Sequence, residues 1–91
     1  MATVVNNPAE SRYEIHVDGQ LAGFTQYRAT PGVIDFVHTE IDDAYEGHGL
    51  AGQLARAALD DVRASGDKVI ATCPFIKGWI AKHEDYHDLL A

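Results

Sequence analysis

Cys73 stands directly before a proline and an aromatic residue, in the run Ala71-Thr72-Cys73-Pro74-Phe75. A thiol that ends a strand and opens a helix sits in the positive end of the helix dipole, which favours the thiolate and makes a better nucleophile. The plain alternative is a buried, inert cysteine, since free cysteine is among the most buried residue types. His38 and Glu40 lie two apart in the segment VIDFVHTEI. In a strand they share a face, together with Phe36, because side chains alternate with period 2. His38 ranks first as a base, able to take a proton from an ammonium group or from Cys73. Glu40 is the rival base, a stronger acid that needs burial to act near neutral pH. His38 reads slightly better as a histidine half-buried in the sheet and hydrogen-bonded.

The segment Glu46-Gly47-His48-Gly49-Leu50-Ala51-Gly52 suits anion binding. Its glycines let the backbone turn sharply and approach a ligand, and the helix expected after it offers unpaired N–H groups. A glycine-rich connection with no ligand is the competing reading. A Walker loop is excluded by the missing Gly-Lys-Ser/Thr ending, and a dinucleotide fingerprint by the glycine spacing. One further match, His83-Glu84-Asp85-Tyr86-His87, satisfies H-E-x-x-H. On a helix that spacing presents two histidines to zinc. With only Asp88 to Ala91 following, a downstream third ligand is missing, so no metal site is expected.

These groups need elements to hold them. Tyr13, Ile15 and Val17 alternate with polar residues, Asp18-Gly19 is a hairpin turn, and a second strand runs from about Leu21 to Ala29. Thr30-Pro31-Gly32 turns the chain into a third strand, Val33 to Ile41. The period then changes. Leu50, Leu54, Ala58 and Val62, with Ala51, Ala55 and Leu59, form the apolar face of a helix closing at Ser65-Gly66. Lys68 to Thr72 reads as a short buried strand, Phe75 to His83 as a helix, and Glu84 to Leu90 as a final turn. Residues 1 to 10 read as a loose arm. The expected order is three antiparallel strands, a helix, a fourth strand and C-terminal helices, an α+β fold in one domain over residues 1–91.

Fourteen acidic against seven basic residues give a net charge of −7. Nucleic acid, which needs a basic face, is excluded as a partner, whereas a cationic acceptor is compatible. No apolar run approaches the roughly 20 residues that span a bilayer, so no membrane partner is expected. A single cysteine and no signal-like start predict a cytoplasmic protein.

The strand HTEID, the segment YEGHGLAGQLARAALDDVRASG and the run KVIATCPFIKGWIAKHEDY together resemble the GNAT superfamily of N-acetyltransferases, and within it a short stand-alone family of about this length. The resemblance implies a minimal GNAT-like fold that binds acetyl-CoA and moves its acetyl group to a primary amine, such as a protein lysine or a polyamine. It implies that the superfamily's Gln/Arg-x-x-Gly-x-Gly/Ala loop falls on Glu46 to Ala51. Backbone N–H groups from Gly47 through His48, Gly49, Leu50 and Ala51 to Gly52 would then hold the pyrophosphate. Thr39 to Ile41 would pair with the pantetheine arm, in a slot opened where the fourth strand splays from the third. Cys73 would lie near the thioester, as an acetyl-accepting nucleophile or as a positioning group. Glu46 departs from the family pattern, and a carboxylate aimed at phosphate would cost binding, so its side chain is expected to face solvent. The rival reading is a CoA-binding module that senses the ligand or docks on a partner without turnover.

Overall fold

The computed structural model describes residues 2–91. Five strands form one mixed sheet in sequence order: β1 (Ala2–Asn7), β2 (Arg12–Val17), β3 (Gln20–Thr30), β4 (Val33–Ile41) and β5 (Lys68–Ala71). Helices α1 (Leu50–Ser65) and α2 (Pro74–Ala81) pack on the sheet, and a 3-10 turn at Glu84–Leu89 closes the chain. The first three strand pairs are antiparallel, and α1 is the crossover that makes β4 and β5 parallel.

Residues 2–7 correct the expected loose arm. They pair along all of β2, from Ala2 opposite Val17 to Asn7 opposite Arg12. Adjacent valines and two asparagines hide the alternation in sequence. In the fold Val4 is half-buried toward the core and Asn6 accepts a hydrogen bond from Tyr27 Oη at 2.8 Å. Both turn signals are realised: Asp18 and Gly19 have φ of 49° and 83°, and Gly66 at 80° closes α1 by donating to Arg63 and Val62.

The core lies between the sheet and the helices. Leu54, Ala58, Leu59 and Val62 of α1 are sealed against Ile15, Phe36 and Val69. Burying a leucine, valine, isoleucine or phenylalanine side chain stabilises by about 1.5–3 kcal/mol. Tyr13, Tyr27 and Phe36 form an aromatic triangle with centroids 5.4 to 6.3 Å apart. Two neighbouring aspartates tie α1 down: Tyr13 Oη donates to Asp61 and Tyr86 Oη to Asp60, each at 2.6 Å. Burial first, then the adjacent carboxylate, pushes both phenols above their ordinary range.

Two irregularities in β4 shape the site. Gln26 pairs with His38 and Tyr27 with Phe36, so Val37 is an extra residue in the ladder, a β-bulge. The bulge inverts the alternation. Phe36 faces the core, but after Val37 it is Thr39 that reaches the interior, where it meets Thr25 and Cys73. His38 and Glu40 remain together on the opposite, open face, and the expectation that Phe36 shares it is corrected. At the same point β5 leaves. Pairing runs only from Val33–Lys68 to Phe36–Ala71, and the Cys73 amide donates the final bond to the Phe36 carbonyl at 2.8 Å.

Candidate active site

Beyond Phe36, β4 has no strand partner on the β5 side, and a wedge opens between Thr39–Ile41 and the start of α2. The chain after β4 turns over this wedge. Asp42 caps a 3-10 turn at Asp43–Tyr45 by accepting from the Ala44 amide at 2.9 Å, and Tyr45 Oη donates to Gln20 at 3.0 Å, fixing the turn to the β2–β3 hairpin. Gly47 and Gly49 then take φ of 83° and 70°, a left-handed pair that brings α1 in with its N-terminus at the wedge. No side chain caps that terminus. A Cβ on Gly47 or Gly49 would meet nothing within 4 Å. Open space therefore adjoins a set of free N–H donors at the positive end of a helix of 16 residues.

The resulting cleft encloses about 480 Å³ and is lined by Thr39, Ile41, Tyr45, Glu46, Gly47, Gly49, Leu50, Ala51 and Phe75. Seven residues named from sequence thus converge there. His48 is exposed beside the cleft. Gly52 faces Trp79 instead, where an added Cβ would lie 3.8 Å from Nε1. Glu46 is exposed, as its charge requires next to an anion site. Tyr45 and Phe75 escaped the sequence reading, although Phe75 next to Cys73-Pro74 was the available signal.

A second groove of about 560 Å³ runs beside the first along the ends of β3 and β4. Phe24, Glu40, Asp42, Asp43 and Glu46 line it, and it shares Thr39, Ile41 and Glu46 with the cleft. Gly23 keeps its floor tight, since a Cβ there would lie 2.5 Å from the Glu40 carbonyl oxygen. Four carboxylates around one groove favour a cationic occupant.

Cys73 is buried at the N-cap of α2, with Sγ 3.3 Å from Thr39 Oγ1. His38 does not join it. Its side chain is 54% exposed on the open face, with Nε2 3.5 Å from Glu40 Oε1 and its ring against Phe24. The expected transfer of a proton from Cys73 to His38 is therefore corrected, because the bulge turns the two to opposite faces of the sheet.

The H-E-x-x-H segment lies in a 3-10 turn, which His83 caps, and not in an α-helix. Carbonyls can only accept, so His83 Nδ1–H donates to Trp79 at 2.6 Å and His87 Nε2–H to Ile80 at 2.9 Å. His83 also stacks on Trp79 at 3.7 Å. Among the described residues no three His, Cys, Asp or Glu groups converge as metal ligands. Lys77 lines a separate groove with Ile70 and Leu90, away from the cleft. No helix among the described residues is long and apolar enough to cross a membrane.

The fold that holds this site has counterparts among known proteins. A GCN5-like protein from Staphylococcus aureus superposes with a TM-score of 0.74 at 24% identity, over 98% of this chain and 87% of that one. Ard1 from Thermoplasma volcanium gives 0.63 at 17% identity, over 82% and 55%. At such identities the likeness is one of fold. In sequence, 51 residues are 41% identical to Protein NATD1 of Homo sapiens, covering 56% of this chain and 45% of that protein. The alignment thus spans less than half the length of that relative. The model of the GCN5-related N-acetyl-transferase family matches residues 12–89, from β2 through the glycine turn to the closing 3-10 turn. The chain belongs to the GCN5-related N-acetyltransferase family.

Proposed function

We propose that this protein binds acetyl-CoA in the β4–β5 cleft and transfers the acetyl group to a primary amine that enters from the acidic groove. The observation that carries the reading is the junction of the two cavities at Thr39 and Ile41, with the uncapped end of α1 on one side. Backbone N–H groups from Gly47 to Gly52 hold the pyrophosphate, and the unpaired edge of Thr39–Ile41 takes the pantetheine amides as an added strand would. Tyr45 and Phe75 close the sides against water. Acetyl-CoA supplies an activated acyl group, so the protein's work is to align it, remove a proton from the amine and stabilise the departing sulfur.

Glu40 is the base in this reading, because it lines the groove through which the amine arrives; its side chain is 60% exposed in the free protein, and the bound cofactor and amine supply the burial it needs. His38, beside it on the open face, relays the proton to solvent. Asp42, Asp43 and Glu46 draw in a cationic acceptor, such as a lysine side chain or a polyamine. The single free cysteine accords with the reducing cytoplasm. Calorimetry with CoA, paired with acetyl-CoA consumption over a panel of amines, tests the proposal. Binding with no turnover on any amine would favour the non-catalytic CoA module, and no binding would reject both.

A further inference from the structure

Three heteroatoms, each with one proton, meet where the cleft joins the groove. Thr25 lies opposite Thr39 in the β3–β4 register and is fully buried, with its Oγ1 2.9 Å from Thr39 Oγ1. Thr39 Oγ1 is in turn 3.3 Å from the sulfur of buried Cys73. Valine would fill the Thr25 position without burying a hydroxyl, so the hydroxyl there calls for a use.

Donor accounting supplies one. A hydroxyl has two acceptor lone pairs and one proton, and a thiol is a weak donor. Within this cluster one proton must be left over. Left on Thr25 or Cys73, it would be a buried donor without a partner. If both donate to Thr39 Oγ1 they fill its two lone pairs, and the surplus proton falls on Thr39, the one member of the three that lines both cavities.

We propose that the Thr39 hydroxyl is a catalytic donor to the sulfur of acetyl-CoA. This rests on the acetyl-CoA reading above. As the bond from the amine nitrogen to the acetyl carbon forms, the C–S bond breaks and its electron pair stays on sulfur. Thr39 gives that sulfur its proton and takes the proton of Cys73 in return. The net exchange is between two alkyl thiols, so no alkoxide is left on Thr39. The thiolate of Cys73 regains a proton through Thr39 after CoA departs, matching the proton that the amine lost to Glu40. Thr25 is a positioning residue that holds the Thr39 oxygen.

Calorimetry with CoA and with desulfo-CoA, which lacks the sulfur, reads the contact directly. The wild-type protein should prefer CoA by about three- to tenfold, the span of one neutral hydrogen bond. Thr39→Val should bind both equally, Thr39→Ser should keep the preference, and Thr25→Val should weaken it. Turnover by Thr39→Val should fall at least tenfold, with affinity for desulfo-CoA unchanged and Thr39→Ser restoring the rate. A purely structural role would move both affinities together and would not be rescued by serine. A wild-type protein without the preference, or a folded Thr39→Val that retains it, overturns the proposal while leaving the cleft in place. A wild-type protein that binds neither ligand overturns the cleft and this proposal with it.

Discussion

The amide of Cys73 donates to the carbonyl of Phe36 at 2.8 Å, and one residue further along β4 the extra Val37 breaks the ladder to β3. Both neighbours of β4 thus change their pairing at one level of the sheet. A strand that is a rigid interior member up to Phe36 becomes, from Thr39 onward, a free edge on one side. Free N–H and C=O groups on a strand are costly when buried and adhesive when exposed, so such an edge invites a ligand with amides of its own.

Gly49 tests the pyrophosphate site. A β-branched residue at φ of 70° is strained, by about 1–3 kcal/mol, and its side chain would fill the open space before α1. Gly49→Val should reduce CoA affinity by about a hundredfold or more while the protein still folds. Glu46→Gln should bind CoA as well as or better than wild type. Calorimetry with circular dichroism reads both, and unchanged affinity in folded Gly49→Val would remove the site.

The open face of β4 tests the base. Glu40→Gln should lower kcat by about 10²–10⁴, the usual worth of a positioned base. His38→Ala should cost only a few-fold, since His38 does not line either cavity. Steady-state kinetics that reversed this order would restore His38 as the base.

Burial of Cys73 decides between covalent and direct transfer. With its sulfur covered and engaged by Thr39, the thiol is set to exchange a proton, and no acetyl group should accumulate on it when acetyl-CoA is supplied without an acceptor. Intact mass spectrometry checks this. Cys73→Ser, which would have to leave a buried alkoxide where Cys73 leaves a thiolate, should turn over more slowly than wild type with CoA affinity unchanged. A hydroxylamine-labile acetyl adduct on Cys73 would establish the covalent route instead.

His83 and His87 are each committed to a backbone carbonyl of α2. Protein purified without a tag or added metal should therefore carry no stoichiometric zinc by elemental analysis. One zinc per chain, lost in His83→Ala, would contradict the assignment.

Glu14 sets a pH limit on β1. Its carboxylate accepts from Asn7 Nδ2 at 3.0 Å, His16 Nε2 at 2.9 Å and Arg12 Nε at 2.7 Å. These hydrogen bonds, that of Asn7 foremost, hold the acid near 2 against an ordinary 4.5. The folded state therefore binds this proton less readily than the unfolded chain. The stabilisation is fully present above pH 4.5 and is lost as pH falls toward 2. Thermal melts of wild type and Glu14→Gln should differ most above pH 5 and converge near pH 2. Parallel curves across that range would mean that Glu14 contributes nothing through its charge.

Much of this fold is legible in the sequence. The glycine turn, α1 with its Gly66 stop, and the Asp18-Gly19 hairpin are local, set by φ preferences and a 3.6-residue period. Cys73 at the mouth of α2 followed from Pro74, which favours the first helical turn. Three features were not legible. β1 was hidden because Val4 and Val5 are adjacent and the strand ends on two polar residues, Asn6 and Asn7, whose partners Tyr27 and Glu14 lie on other strands. The face of His38 was misjudged because a bulge depends on pairing with β3 and leaves no mark within VIDFVHTEI. The acidic groove was invisible because Phe24 and Glu40 come from different strands and meet only through register.

Val37 also bears on how far β4 tolerates a change of length. Because side chains alternate, a single inserted residue acts on a strand as a frameshift acts on a message, unless a bulge absorbs it and restores the phase downstream. Removing Val37 would leave the composition of the chain almost untouched. It would also leave every face as it is, because Phe36, His38, Thr39 and Glu40 would keep Tyr27, Gln26, Thr25 and Phe24 as partners in a regular ladder. With Val37 in place, a ladder without the bulge would turn His38 and Glu40 inward and Thr39 outward, so it is the bulge that keeps the two faces apart.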